Sequence, residues 1–437
     1  MSTQIIHYRN SFIEVSNSKI RILMDPWVYS ANHGSWAGTK KGAIYIIDSL
    51  KKRPIDYIYF SHLHTDHYDE RFLEQLAKKN KKTITIIVKK FKDQRFKKKI
   101  QSLCKKNIKV VEVDCYKKLI LSDKSKIWIL PQLSSSNTPN YLINYDLDTS
   151  CIFQNEDLCL FNQTDNPYSE KDIGIIQKKL KKNSIPENFD IAFIPYCAAS
   201  AYPQNFININ RAAIKKQLIA SRLLKFFNVS KKLNAKLVIP AGGSYKLDKN
   251  LVELNKYLAI PNYRFIKNFK EKIKSKINLV DTNKKYFLFN HNNYELKNKN
   301  FAKFFEDKIL TSKLTYPNCK SFNKEVISKD LAILESRLPE WKKNIYHRCQ
   351  SEVHLHIHKD DPKNKKMLKK GKFVVHKINF GNNNKKNFLK IFLNYKLLYA
   401  LINGNIVFNE IETHLLYSRK PNIYEPDVVF WMNLYKY

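Results

Sequence analysis

Ser61-His62-Leu63-His64-Thr65-Asp66-His67-Tyr68-Asp69 puts three imidazoles and a carboxylate within six consecutive positions, His62 to His67. The run before it, Ile55 to Phe60, is apolar and β-prone. Asp69-Glu70 behind it open an amphipathic segment with Phe72, Leu73 and Leu76 on one face. The layout predicts a buried strand, a ligand-bearing turn and a helix over 69–78. In a strand-end turn of the form H-x-H-x-D-H, alternate side chains can converge on one point. His62 and His64 are therefore candidate ligands of one cation. Asp66 and His67 lie beside it, reaching a second cation or holding the attacking water, and Asp66 is the candidate catalytic group. Neutral imidazole with carboxylate suits zinc, iron or manganese better than calcium or magnesium. The competing reading is an accidental cluster of surface histidines. Its position, where an apolar strand ends and a capped helix begins, favours the metal.

The segment Ile55-Asp56-Tyr57-Ile58-Tyr59-Phe60 through His67 resembles the signature of the metallo-β-lactamase fold superfamily. Ile22-Leu23-Met24-Asp25-Pro26-Trp27 resembles the strand and D-P-W element of the branch containing ascorbate-6-phosphate lactonases and N-acyl-phosphatidylethanolamine phospholipase D. Three further stretches are similar to the narrower group around CMP-N-acetylneuraminate hydroxylase. They are Leu160-Phe161-Asn162-Gln163-Thr164-Asp165, Pro240-Ala241-Gly242-Gly243-Ser244-Tyr245-Lys246-Leu247-Asp248, and the tail Phe408-Asn409-Glu410 through Arg419 to Pro426.

The resemblance implies an α/β protein, an αββα metallo-β-lactamase sandwich with its metal site at one edge. It places Asp25 near the site as a support, although an Asp before proline is equally an ordinary turn residue. It favours Asp165 as a metal-bridging ligand; read alone, a carboxylate at a strand end is also an Asx-turn residue. One departure stands out: no histidine occurs between His67 and His291, so the third and last histidines of a full dinuclear site are missing. One metal held by His62, His64 and Asp165, completed by Asp66 or His67, needs no further histidine. One or two divalent ions, zinc or iron, are expected, with a degenerate metal-poor site as the alternative.

At 437 residues, with 43% hydrophobic and 13% aromatic content, the chain folds around at least one full core. Its formal charge of +39 is spread along lysine–asparagine runs such as Lys78-Lys79-Asn80-Lys81-Lys82 and Asn382-Asn383-Asn384-Lys385-Lys386. Even spreading points to a coding bias with a modest preference for anions. A small anionic substrate is expected, and no dedicated nucleic-acid binding. The seven cysteines form no C-x-x-C pair and read as reduced, buried thiols of a cytoplasmic protein. The N-terminus has no signal-peptide pattern, and no apolar run is long enough to span a bilayer. None of the nine glycines forms a P-loop or dinucleotide-binding turn. The sequence carries no signal for an oligomeric state.

Three parts are expected: a metallo-β-lactamase-like domain over 1–265, a helical connector over 266–350, and a small α+β domain over 351–437. In the first, Phe12 to Val15 and Ile20 to Met24 form a hairpin, Thr83 to Val88 is a strand, and Lys89 to Lys106 is a basic helix. Ile108 to Val113, Leu119 to Leu121, Ile127 to Leu130, Leu142-Ile143, Cys151 to Phe153 and Leu158 to Phe161 read as strands of the second sheet, and Asp190 to Tyr196 and Leu237 to Pro240 as further strands. Arg211 to Lys232 has helical spacing.

The loop Ser30 to Gly42, with His33 and Trp36, is expected to shape a pocket mouth, though a lone loop histidine such as His33 is ordinarily solvated. Ala241 to Tyr245 reads either as a tight turn or as a seat for an anionic substrate group. Trp36, Ser244 and Tyr245 are the candidate substrate-binding residues. Lysine-rich helices follow at Tyr263 to Lys276, Phe301 to Ser312 and Asn323 to Tyr346.

Glu352-Val353-His354-Leu355-His356-Ile357-His358 puts three histidines on one strand face. Same-face neighbours on a strand lie roughly 7 Å apart, so a solvated face is expected rather than a second metal site. Phe373 to Val375 and Leu389 to Phe392 extend that small sheet, Tyr395 to Ile402 is a helix, and the tail aromatics Phe430, Trp431, Tyr435 and Tyr437 pack a core.

The expected activity is hydrolysis by metal-activated water. By resemblance, the substrate class is a nucleotide-activated or acidic sugar. The alternatives are a hydroxylase and a non-catalytic scaffold. The hydroxylases of the resembled group carry a Rieske iron–sulfur module needing C-x-H or C-x-x-H pairs. This sequence has none, so hydroxylation requires a separate electron donor.

Overall fold

The computed structural model describes residues 2–91, 94–103, 107–133, 148–281, 285–291, 293–298, 302–306, 327–333, 336, 352–359, 374–378, 388–403 and 411–420. Short apolar runs separated by polar turns set the pattern. β1 (Thr3–Arg9), β2 (Phe12–Ser16) and β3 (Arg21–Met24) form an antiparallel meander. The β2–β3 turn is held by the Asn17 side chain, whose Oδ1 accepts from the Lys19 and Ile20 amides. β4 (Tyr57–Tyr59), β5 (Ile84–Lys89) and β6 (Ile108–Val113) then add in parallel. Helices α1 (Lys40–Ser49), α2 (Glu70–Lys79) and α3 (Arg95–Leu103) make the crossovers.

The second sheet is β7 (Lys118–Ile120), β8 (Lys126–Pro131), β9 (Thr149–Gln154), β10 (Cys159–Asn162), β11 (Ile191–Ile194) and β12 (Leu237–Pro240), adjacent in that order. Its last three strands are parallel. α4 (Glu170–Lys182) and α5 (Arg211–Leu233) connect them, and α6 (Tyr263–Lys272) follows.

Three apolar layers hold these elements. Between the sheets, Ile13, Val15, Ile22, Met24 and Tyr59 meet Ile129, Cys151, Leu160, Phe193 and Ile239. Outside the first sheet, Ile46, Phe72, Leu76 and Ile100 of α1–α3 cover Leu23, Ile58 and Ile86. Outside the second, Ile173, Leu180, Leu223 and Phe226 of α4 and α5, with Ile266 of α6, cover Ile152, Phe161 and Val238. This is the αββα sandwich expected.

Three details differ. Ile108–Val113 is the edge strand of the first sheet, not part of the second, because the α3 crossover returns it parallel to β5. The basic helix begins only at Arg95, since Lys89 is still in β5 and opposite Val113. Within the stretch expected to be a helical connector, β13 (Lys285–Asn290) and β14 (Asn293–Asn298) form a hairpin that extends the first sheet beside β1. The buried alternation of Phe287 and Phe289 is a strand pattern, and both enter the inter-sheet core.

A third sheet contains β15 (Glu352–His358), β16 (Val374–Ile378), β17 (Phe388–Asn394) and β18 (Leu416–Lys420), in the order β16-β15-β17-β18. α7 (Tyr395–Ile402) packs on it together with Ile327, Leu331, Tyr202 and Phe206. Leu142-Ile143, the tail aromatics, and most of the helices expected over 301–312 and 323–346 fall outside the described residues. Cys115, Cys151, Cys159 and Cys197 are free thiols. No helix among the described residues is long and apolar enough to cross a membrane.

The first sheet also buries an ion pair. Arg21 Nη2 donates to Glu14 Oε2 at 2.9 Å, and Tyr8 Oη donates to the same oxygen at 2.9 Å. Removing one member strands the other in the interior. Arg21→Met is therefore expected to lower the unfolding free energy in urea titration by about 3–5 kcal/mol. Lys82→Met, at the exposed pair with Asp56, is expected to change it by less than about 1 kcal/mol.

Candidate metal centre

In both sheets the parallel strands run out at the same edge of the sandwich. Met24 is in register with Tyr59, Asn162 with Phe193, and Ile194 with Pro240, so the turns after them adjoin. This carboxyl edge is where open α/β sheets bind ligands. Thr149 ties the two sheets together there: its hydroxyl donates to Ser61 O at 2.7 Å and lies 2.7 Å from Tyr59 Oη.

The H-x-H-x-D-H stretch leaves β4 and makes one helical turn. The His67 and Tyr68 amides both donate to His64 O, at 3.0 and 2.8 Å. Asp69 caps α2 by accepting from the Phe72 amide at 3.0 Å. Its other oxygen accepts from the Val28 and Tyr29 amides, tying the D-P-W loop to the turn.

Asp25, fully buried, organises the cluster from behind. Its Oδ1 accepts from the Ser61 amide at 2.8 Å. Its Oδ2 accepts from Ser61 Oγ at 2.6 Å and from His67 Nδ1 at 2.8 Å. With Nδ1 donating to Asp25, His67 presents Nε2 to the cluster, 3.2 Å from Asp165 Oδ2 and 3.5 Å from Asp66 Oδ2. Ser61 Oγ also lies 2.8 Å from His62 Nδ1, which aims His62 Nε2 inward. That nitrogen is 2.9 Å from His64 Nδ1 and 3.7 Å from Asp148 Oδ1.

Two triads therefore share His62: His62/His67/Asp165 and His62/His64/Asp148. The ligand atoms within each lie within 4.8 Å of one another. Asp66 adds a further oxygen beside the first. Asp66 Oδ2, Asp148 Oδ1 and Asp165 Oδ1 are buried with no hydrogen-bond partner, and the buried His67 Nε2 faces the Asp165 and Asp66 carboxylates. Leaving such atoms unsatisfied is costly, about 1–3 kcal/mol each and more for charged groups. Cations between them would satisfy all three oxygens, so this donor set fits one or two divalent ions.

Electrostatics agree with that fit. Burial pushes the Asp66 carboxyl up to about 6, with His67 pulling it back and Asp165 pushing it further. Burial likewise raises Asp148 to about 6. His62 is held well below the ordinary imidazole value by burial, then by His67 and His64. For His67, burial acts downward, but Asp165, Asp66 and Asp25 outweigh it and hold it well above its usual value. Asp165 is lowered because His67 outweighs its burial. Without metal the His67 proton offsets part of the carboxylate charge, and a metal bound at Nε2 must displace it.

His62, His64, Asp66, His67 and Asp165 lie in one cluster, but the expected grouping of His62, His64 and Asp165 is replaced: Asp165 groups with His62 and His67, and His64 groups with His62 and the unforeseen Asp148. Asp148 immediately precedes β9, where a search for a third histidine passes over a carboxylate. The legible signal was Asp146-Leu147-Asp148 abutting the β-prone run from Thr149. Asp165 sits against the Ala241–Tyr245 turn. A Cβ on Gly242 (φ +82°) would lie 3.2 Å from Asp165 Oδ1, and one on Gly243 (φ +68°) would meet Cys197 O at 2.5 Å. Glycine at both positions gives the tight turn and its close approach to the centre.

The substrate-binding expectations for Trp36 and Tyr245 need correction. Both are buried, with their rings stacked at 3.9 Å and 11°. Trp36 Nε1 donates to Thr413 Oγ1, and Tyr245 Oη bonds Ser200 O and Gln204 Nε2. They support the rim rather than face a substrate. Ser244 is half-buried beside the centre, its amide donating to Asn10 Oδ1. His33 is exposed on the turn Asn32–Gly34 and belongs to neither triad.

The histidine face of β15 is not the solvated face expected. His354 and His356 are half-buried and His358 is buried. The His354 and His356 rings lie against Phe388 and Phe392, and His354 Nε2 is 3.1 Å from Glu352 Oε1. The two ring centroids are 6.5 Å apart, and among the described residues this face forms no ligand triad.

No protein-family model and no curated protein sequence matches the chain. Among solved structures it is similar to Igni18, a metallo hydrolase from the hyperthermophilic archaeon Ignicoccus hospitalis. That match has 13% identity and a TM-score of 0.41, covering 68% of this chain and 99% of that one. The isothiocyanate hydrolase from Delia radicum gut bacteria matches at 15% identity and TM-score 0.40, covering 64% of this chain and 97% of that one. CmlA, a diiron beta-hydroxylase from Streptomyces venezuelae, matches at 11% identity and TM-score 0.40, covering 63% of this chain and 52% of that one. At these identities the likeness concerns the fold, and the chemistry of this centre is read from its own side chains.

Asp25 sets the orientation of His67 without reaching the ion position. Asp25→Asn is expected to weaken zinc binding about 10–100-fold, measured by competition with a chromophoric chelator, while the protein remains folded by circular dichroism.

Proposed function

We propose that the chain is a metal-dependent enzyme of hydrolase type acting on a small anionic molecule. The observation that carries this reading is the set of buried, unpartnered carboxylate oxygens, Asp66 Oδ2, Asp148 Oδ1 and Asp165 Oδ1, which converge with His67 Nε2 around His62. Divalent cations bound there would supply a Lewis acid and bring the pKa of a water toward neutrality.

The chain's own groups divide the remaining work. His64 and Asp148 would hold one position, and His67 and Asp165 the other with Asp66 beside it; His62, whose Nε2 is its one inward nitrogen, would complete one of the two. Asp25 and Ser61 fix the imidazole orientations. Asp66, raised toward neutrality by burial, orients the attacking water and takes its proton. The +39 charge supports an anionic substrate by raising encounter rates. The resemblance to sialic-acid hydroxylases supports a nucleotide-activated or acidic sugar.

A second reading is favoured by the donor set itself. Three carboxylates beside three imidazoles form a harder site than a histidine-rich one, and this suits iron or manganese. Iron at both positions would open oxidative chemistry, and a hydroxylase of this kind needs a separate electron donor.

Protein expressed with zinc and iron supplied is expected to carry about two metal ions per chain by elemental analysis. His62→Ala, His64→Ala and Asp148→Ala are each expected to leave about one. Fewer than about a tenth of an ion per wild-type chain supports a non-catalytic scaffold instead. On a panel of nucleotide sugars, acidic sugars, phosphoesters and lactones, chelator-sensitive hydrolysis is expected. Asp66→Asn is expected to lower kcat about 10²–10⁴-fold with KM nearly unchanged. Turnover that requires oxygen and an added reductant would select the hydroxylase.

A further inference from the structure

Residues 411–415, which lead into β18, lie against the rim of the metal centre. Thr413 and His414 are buried and far in sequence from everything they touch there. His414 Nε2 lies 2.7 Å from Asn32 O. Ser35 Oγ donates to the same carbonyl at 2.9 Å and lies 2.8 Å from Thr413 Oγ1. Trp36 Nε1 donates to Thr413 Oγ1 at 3.2 Å.

One proton arrangement satisfies all four contacts. The Trp36 indole gives to Thr413, Thr413 to Ser35, and Ser35 and His414 to Asn32 O. Asn32 in turn grips the metal turn: its amide donates to Thr65 Oγ1 at 2.9 Å, and Thr65 Oγ1 donates to Asn32 Oδ1 at 2.8 Å. Thr65 stands between His64 and Asp66, so a shift of its backbone turns both.

We propose that Thr413 and His414 are positioning residues of the metal centre, acting through Asn32 on Thr65, so that the third sheet completes the site. The inference rests on the metal-centre reading above. Backbone geometry supports it. Asn32 and His33 are consecutive left-handed residues, both with φ near 51°. Side chains other than glycine hold that conformation only where their surroundings over-determine it, and here the surroundings are Thr65 on one side and Thr413 and His414 on the other.

The second anchor of the segment is separate. Glu412 Oε1 accepts from the Ala201 amide at 2.7 Å, and Asn205 Nδ2 donates to the Thr413 and Leu415 carbonyls. Burial keeps the His414 ring neutral, pushing it down to about 4 against the opposing Asn32 bond, with His33 and Lys249 adding to the shift. The ring then serves as a hydrogen-bond donor and not as a charge.

The test is cobalt(II) titration of the full-length apo protein, read from the visible ligand-field bands. His414→Ala is expected to weaken cobalt binding about tenfold and to alter those bands. His414→Gln keeps a donor for Asn32 O without the ring, and is expected to restore both. A role in packing alone predicts no rescue by glutamine and no change in the bands of the residual complex. Should His414→Ala not fold, Thr65→Val breaks the same chain inside the metal turn, and the same cobalt loss is expected. Wild-type binding with unchanged affinity in the folded variants overturns the positioning role and leaves the metal centre standing. No cobalt binding by the wild type overturns both.

Discussion

The bond from His67 Nδ1 to Asp25 Oδ2, wholly buried at 2.8 Å, is the constraint on which the rest of the centre depends. It joins the end of β3 to the turn after β4, two parallel neighbours of the first sheet. It decides which nitrogen of His67 faces the cluster. The same carboxylate takes the Ser61 amide and hydroxyl, and Ser61 Oγ reaches His62 Nδ1. One residue therefore orients two imidazoles. Asp25 does this from a left-handed backbone at φ 44°, an uncommon conformation that aspartate tolerates better than most. An Asp before a proline could have been only a turn former; here the turn geometry and the hydrogen bonding are one arrangement.

Around that bond the molecule separates charge in an unusual way. The chain carries a net +39, yet the sandwich edge gathers Asp25, Asp66, Asp148 and Asp165 within one cluster whose ion-pair partners, among the described residues, are histidines. Carboxylates drawn this close repel one another, and desolvation raises the cost further. The raised Asp66 and Asp148 and the strongly raised His67 express that stress. A protein could relieve it by replacing one acid with an amide. This chain keeps all four acids, which is the arrangement a dication stabilises and a proton only partly satisfies.

Much of this was legible in the sequence, for identifiable reasons. The H-x-H-x-D-H turn is local, so strand, turn and helix periodicities announce it together. Asp165 was accessible because it closes an apolar strand. Asp148 was not: nothing local separates it from Asp146, and only the pairing of β9 with β8 and β10 brings it to His62. Ile108–Val113 went to the wrong sheet because a β-prone run says nothing about its partner; the handedness and length of the crossover decide that. The Lys285–Asn298 hairpin hid behind flanking lysines that resemble the helices around it. Trp36 and Tyr245 are substrate-binding candidates on the sequence alone. Their stacking on each other depends on the third sheet, whose contacts with the sandwich no local pattern encodes.

The third sheet also explains how so exposed an edge can be held rigid. A sandwich ends at the carboxyl edge in loops, and loops are the least constrained parts of a fold. Here two of them, 31–36 and 200–206, are bonded to one segment, Glu412 to Tyr417, through Asn32, Ser35, Ala201 and Asn205. β18 continues from that segment into a sheet with its own core of Leu355, Ile391 and Leu401. Loop order at the centre is thus borrowed from a body that, among the described residues, adds no member to either triad. A donor set of short side chains such as aspartate has little reach, so a small backbone drift would separate it. Backbone support of this kind, passed from Asn32 to Thr65, bears on the turn that carries His64 and Asp66.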